Sequence, residues 1–243
     1  MTAPRLLINI DHVATLRNAR REATPDPVHA ASLCMQSNAH GIVFHLREDR
    51  RHITERDVRL LKQTVHGKLD FELSTNAEIV DICCEVQPEL ATLVPERREE
   101  VTTEGGLDVA ANADRLQTVI PKLKDAGIEQ VALFVDPTPA QIEATADAGA
   151  HAIELHTGDY ANATTESDRH RELDRLATGA EAAHQAGLRV HAGHGLDYTN
   201  VQPFVRAVPH VAEVSIGFAI MSRAIFSGLP QAVRDMHHLI RTA

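Results

Sequence analysis

Tryptophan is absent from the 243 residues, and the only large aromatics are two tyrosines and six phenylalanines. So few rings cannot build the stacking platforms that bind single-stranded nucleic acid. Basic residues are also the minority, 24 Lys and Arg against 34 Asp and Glu, for a formal charge of -10. That balance argues against a surface that follows a phosphate backbone, although a local basic pocket can still take one small anion. Cysteine occurs three times, as Cys34, Cys83 and Cys84. None has metal-ligand spacing, and each falls in a helix-like segment as a small core residue of a reducing compartment. No run approaches the roughly 18 apolar residues of a membrane helix. Residues 1–10 carry one Arg and too short an apolar run for a signal peptide. The expectation is a soluble, cytoplasmic protein that binds neither nucleic acid nor membrane.

What is present is regular alternation. Apolar strand candidates at 6–10, 42–46, 69–73, 90–94, 131–135, 152–155, 188–192 and 214–217 are each followed by a segment of helical period. Pro25-Asp26-Pro27 opens one helix, Thr54 with Asp57 caps the next, and Asn76 caps a third. Gly127 ends a helix built on Leu116, Val119, Ile120 and Leu123. Strand-then-helix alternation implies a parallel sheet with helical crossovers. Eight units in a chain of this length is the number that closes a TIM barrel. An open doubly wound sheet is the alternative, but its Gly-rich first turn is missing. The fold class expected is α/β, a TIM (β/α)8 barrel in one domain over residues 1–243.

Chemistry in such barrels sits at the C-terminal strand ends. Those ends carry Asn9, Asp11 and His12; His45 and Arg47; Glu72; Glu96 and Arg97; Asp136; Glu154 and His156; His194; and Gly217. The second strand breaks abruptly into Phe44-His45-Leu46-Arg47-Glu48-Asp49-Arg50-Arg51-His52, in which seven of nine residues can carry charge. It reads either as a solvated loop or as a strand delivering its last side chains to an anion. In a buried strand Glu72 points inward, where desolvation raises its pKa toward acid/base use. His45 and His194 read as structural or catalytic histidines. A short helix near Ala219 and the glycines around His194 suit phosphate binding after strands seven and eight. Glu154 and His156 share a face and leave a metal reading open.

Longer strings carry a resemblance. Residues 9–20 read NIDHVATLRNAR, 45–54 read HLREDRRHIT, 94–96 read VPE and 100–109 read EVTTEGGLDV. His156-Thr157-Gly158 and Ala192-Gly193-His194-Gly195-Leu196 complete the set. With these the chain resembles the pyridoxine 5'-phosphate synthase family of the deoxyxylulose-dependent vitamin B6 pathway. The resemblance implies condensation of 1-deoxy-D-xylulose 5-phosphate with 3-amino-2-oxopropyl phosphate, releasing inorganic phosphate and water as the pyridine ring closes. It implies His45, Glu72 and His194 as acid/base residues. Asp11, His12, Arg47, His52 and Thr102 would hold the deoxyxylulose phosphate; Asn9, Arg20, Gly195, Gly217 and Phe218 would hold the amino-ketone phosphate. Family members are homo-oligomers, typically octamers, that need no metal or organic cofactor. Two features depart from the pattern: Phe218 stands where many members carry His, and Arg21-Glu22-Ala23-Thr24 replaces a Gly- and Tyr-containing stretch. Two rival readings are a metal-dependent sugar-phosphate aldolase or epimerase using Glu154 and His156, and a non-catalytic phosphate-ligand sensor.

Overall fold

Apolar strands separated by amphipathic helices can bury both faces of a parallel sheet only by closing it inside a ring of helices. The computed structural model describes residues 3–96 and 105–243. In chain order the elements are β1 (Arg5–Asn9), α1 (Asp11–Asn18), α2 (Pro27–Met35), β2 (Gly41–His45), α3 (Glu55–Thr64), β3 (Lys68–Leu73), α4 (Ala77–Val86) and β4 (Leu90–Leu93). Then follow α5 (Ala113–Asp125), β5 (Gln130–Val135), α6 (Pro139–Asp147), β6 (Ala152–His156), α7 (Gly158–Asn162) and α8 (Glu166–Gln185). The last are β7 (Arg189–Gly193), α9 (Val201–Ala207), β8 (Val211–Ile216), α10 (Phe218–Ser227) and α11 (Leu229–Arg241). The strands are parallel and closed in sequence order, with Ile8 of β1 beside Ile216 of β8.

Local chemistry explains the helix boundaries. The Asp26 carboxylate accepts from Val28 N–H at the start of α2, and Asn76 accepts from Glu78 N–H at the start of α4. Thr54 N–H donates to Asp57 before α3, and Gly127 takes φ +91 beyond α5. Three elements differ from the sequence reading. Helix α1 begins directly after β1, so Asp11 is its first residue rather than a strand residue. The short helix α7 follows β6, and β8 starts at Val211, three residues before Val214.

Outward strand residues such as Ile8, Phe44, Phe71, Leu133 and Val214 form one apolar layer with the helices. The alternate positions face the barrel axis, where branched aliphatic residues are usual. Here only Leu90, Ala132 and Ala152 make a small apolar cluster of their own. The rest is polar. Lys68 Nζ donates to Glu213 at 2.7 Å and Gln130 at 3.0 Å, and Thr92 Oγ1 donates to Asp70 at 2.8 Å. His191 Nε2 stands 3.6 Å from Glu213. Ionisable groups therefore occupy much of the axis below the C-terminal strand ends.

Candidate active site

The first wall of the mouth forms where α1 meets the loop after β2. Asn9 Oδ1 accepts from Asp11 N–H at 2.9 Å, while Asn9 Nδ2 donates to Asp11 Oδ2 at 3.0 Å and Glu72 Oε2 at 3.4 Å. Asp11 Oδ1 accepts from His45 N–H at 2.9 Å, joining α1 to the end of β2. His45 and Glu72 are register partners on neighbouring strands. His45 Nε2 lies 2.8 Å from Glu96 Oε1, and Glu96 Oε2 accepts from Glu48 N–H at 3.1 Å. Burial works to raise the Glu96 pKa, but the His45 hydrogen bond and the charges of His45 and Arg47 outweigh it and hold the carboxyl low. His52 Nδ1 accepts from Ile53 N–H at 2.9 Å, so its proton sits on Nε2. Burial lowers its pKa and keeps it neutral.

The charge run divides into two groups. Buried His45 and Arg47, with the largely enclosed His52, line the mouth. Arg50 and Arg51 are less buried: Arg50 pairs with Glu55 and Glu78, and Arg51 pairs with Asp49, whose carboxylate also stands 3.8 Å from Arg47 Nε. Holding this loop in place is an ion pair that sequence reading passed over. Arg17 Nη1 and Nη2 each donate to Asp57 at 2.8 Å, and Nη2 also donates to His52 O at 3.1 Å. Asn18 Nδ2 adds 2.8 Å to the same carbonyl.

Under the mouth lies a group of carboxyls that repel one another. Burial raises Glu72 well above the ordinary value, and the charges of Glu154, Asp11 and Asp70 raise it further. Glu154 is pushed up to about 8 by burial, then by Asp70 and Glu213. Asp70 is pushed up to about 7 by burial, against the opposing Thr92 hydrogen bond. Gly193 makes room for Glu154, since a Cβ there would stand 2.1 Å from Glu154 Oε1. Sequence reading gave Asp70 no role and saw Glu154 as a strand-end carboxylate open to a metal reading. Among the described residues, no three His, Cys, Asp or Glu side chains converge so as to hold a metal ion.

Stability must carry the mark of these shifts. The folded chain keeps the Asp70 and Glu154 protons to about 7 and about 8, whereas an unfolded carboxyl releases them near about 4. Their contribution is present at low pH and is lost as pH rises through the folded values. His191 and His194, lowered to about 4 by burial, act oppositely and lose stability as pH falls below the unfolded value; that value is about 6.5. Unfolding free energy should therefore fall as pH rises from about 6.5 to 8, and Glu154→Gln should remove about 1.4 kcal/mol per pH unit of that slope. Urea melts across this range check it. A variant slope equal to that of the parent would contradict the assignment.

The opposite wall comes from β6, β7 and β8. His194 follows β7 at φ +70, next to Gly195 at φ +88. Burial, then the charges of His156 and His12, lower its pKa to about 4, so it is a neutral imidazole at physiological pH. Its ring is 5.3 Å from that of His156, whose Nδ1 lies 2.9 Å from Asp136 Oδ1. His12, on α1, meets the Phe218 ring edge-on at 5.2 Å. Gly217 caps α10, and Phe218 is its first residue, 69% exposed. The aromatic side chain at 218 thus packs on His12 and leaves the helix N–H groups open. Arg20 lies exposed beyond the end of α1, and its side chain makes no hydrogen bond or ion pair among the described residues. Thr102 and Arg97 lie outside the described residues. Asn9, Asp11, His12, His45, Arg47, His52, Glu72, His194, Gly195, Gly217 and Phe218 all belong to the catalytic end of the barrel or the loops directly above it.

The family described as Pyridoxal phosphate biosynthesis protein PdxJ matches residues 6–242. A relative from Salinibacter ruber named pyridoxine 5'-phosphate synthase is 70% identical over 98% of both chains. One from Nostoc punctiforme with the same name is 53% identical over 98% of both. Among solved structures, 3-keto-L-gulonate-6-phosphate decarboxylase from Vibrio cholerae superposes with a TM-score of 0.62 at 14% identity, covering 98% of each chain. A tryptophan synthase chain from M. tuberculosis gives 0.64 at 11%, covering 99% of this chain and 93% of that one. At these identities the structures share the barrel alone.

Proposed function

Because the chain belongs to the pyridoxine 5'-phosphate synthase family, we propose that it condenses 1-deoxy-D-xylulose 5-phosphate with 3-amino-2-oxopropyl phosphate. The products are pyridoxine 5'-phosphate, inorganic phosphate and water. The observation that carries this reading is Glu72, a carboxyl with strongly raised pKa set in register beside His45 at the floor of the mouth. Imine formation with loss of one water, ring closure with loss of a second, and phosphate loss all require protons to be given and taken, with no redox step. Glu72 is suited to give a proton first; neutral His194 is suited to take one. His45, hydrogen-bonded to Glu96, completes the set.

Two phosphate positions follow. Arg47, Asp11, His12 and His52 are assigned to the deoxyxylulose phosphate, as is Thr102. The open N–H groups at Gly217 and Phe218 support the amino-ketone phosphate, aided by Asn9 and Gly195. Arg20 is assigned to the same phosphate. The protein works without metal or organic cofactor, in the cytoplasm, as a homo-oligomer of octameric size. Exposed Leu16, Ile225 and Phe226 offer such an assembly apolar surface. No helix among the described residues is long and apolar enough to cross a membrane.

Mixing the purified protein with both substrates under chelator should yield pyridoxine 5'-phosphate, followed by absorbance, with release of inorganic phosphate. Folded protein that leaves both substrates intact would overturn the reading. Product formed only without chelator would overturn the metal-free mechanism.

A further inference from the structure

Among the described residues two hydrogen-bonded carboxylate–imidazole pairs stand at the mouth, and the mechanism above uses one. The second is Asp136 with His156. Asp136 follows β5 and accepts twice at Oδ1: from His156 Nδ1 at 2.9 Å and from Gly106 N–H at 3.2 Å. The His156 hydrogen bond holds the Asp136 carboxyl low against its partial burial. An ionised carboxylate can only accept, so the His156 proton must sit on Nδ1.

The His156 ring is fixed on its other sides as well. It is buried, and it lies 5.2 Å from the Phe134 ring and 5.3 Å from the His194 ring. Its Nε2 overhangs Gly158, where a Cβ would come within 2.3 Å of Nε2 and 2.9 Å of Cε1. His194 is held differently. Its backbone is at φ +70, and its ring makes no hydrogen bond among the described residues; it rests on His156 and Phe134. Of these two rings His156 is the nearer, at 5.3 Å against 6.3 Å for Phe134, and it is the one fixed by a hydrogen bond. Charged and titratable neighbours of this assembly are Arg175 of α8, acting on Asp136, and His12 of α1, acting on His194.

We propose that Asp136 and His156 are positioning residues for His194: Asp136 locks the His156 tautomer and ring plane, and the locked ring is the wall that sets His194 toward the mouth. Neither residue needs to touch substrate. The proposal rests on the reading of His194 as an acid/base group. Misplacing such a group by about 1 Å can cost about a hundredfold in rate.

Two variants test it by different means. Asp136→Asn keeps an acceptor for Gly106 N–H but removes the charge and offers an amide donor to His156, freeing the tautomer. Gly158→Ala changes no charge but pushes the His156 ring away. Each should lower kcat by between about tenfold and a hundredfold, with both KM values within about threefold. In a His194→Ala background, either substitution should cost less than about twofold, because the residue it works through is gone. Histidine 15N spectra should place the His156 proton on Nδ1 in the parent and redistribute it in Asp136→Asn, with the His194 resonances displaced in both variants. Losses of equal size with and without His194 would overturn the proposal, as would unchanged kcat in both variants. If the unsubstituted protein makes no product, the reaction assignment has failed. The spectra then decide the positioning claim alone: unmoved His194 resonances refute it, and displaced ones uphold it.

Discussion

Glu72→Gln is expected to lower kcat by at least about a hundredfold, the lower edge of a general acid/base contribution, while both KM values stay within a few fold. The amide keeps the shape of the carboxyl and can still accept from Asn9 Nδ2, the contact Glu72 makes at 3.4 Å. It cannot give up or regain a proton. What makes the carboxyl useful is its setting rather than its chemical identity. Burial together with Glu154, Asp11 and Asp70 holds the proton on Glu72 when an ordinary glutamate would have lost it. Steady-state kinetics with each substrate varied in turn measure the effect. A Glu72→Gln enzyme with near-parental kcat would remove Glu72 from the mechanism.

The largest stability loss is expected from Arg17→Met. Asp57 is fully enclosed, and Arg17 grips both of its oxygens at 2.8 Å. Removing one partner of a buried pair leaves a charge without its counterion, which costs about 3–5 kcal/mol, against about 5–15 kcal/mol for a whole domain. Arg56 and Thr54 also reach Asp57, so the loss should fall at the lower end of that range. Urea unfolding measures it, and a change below about 1 kcal/mol would contradict the role given to the pair. Because Arg17 also holds the His52 carbonyl, the variant should show weaker phosphate-substrate binding even where it remains folded.

The barrel was legible because its signals are local. Apolar runs, caps at Asp26, Thr54 and Asn76, and the stop at Gly127 each act within a few residues. The adjacency of the two proposed acid/base residues was legible because strand ends place His45 and Glu72 side by side. Helix α1 escaped notice because it starts without a side-chain cap, straight after the apolar Ile10. Helix α7 is too short, at five residues, for its period to register. The polar axis was hidden for a different reason. Alternating Lys68, Asp70 and Glu72 reads the same whether the polar face meets solvent or a closed barrel interior, and only closure decides. Arg17 and Asp57 are 40 residues apart, beyond any local pattern. Within the charge run, Arg50 and Arg51 were indistinguishable from Arg47 until the fold buried Arg47 alone of the three.

The central claim is that Glu72 meets its substrates as a neutral acid. An infrared difference spectrum of the parent protein minus Glu72→Gln, with 13C-labelled glutamate and near pH 7, tests it directly. The account predicts that the substitution removes a protonated carboxyl band. Loss of an ionised carboxylate band instead would contradict it.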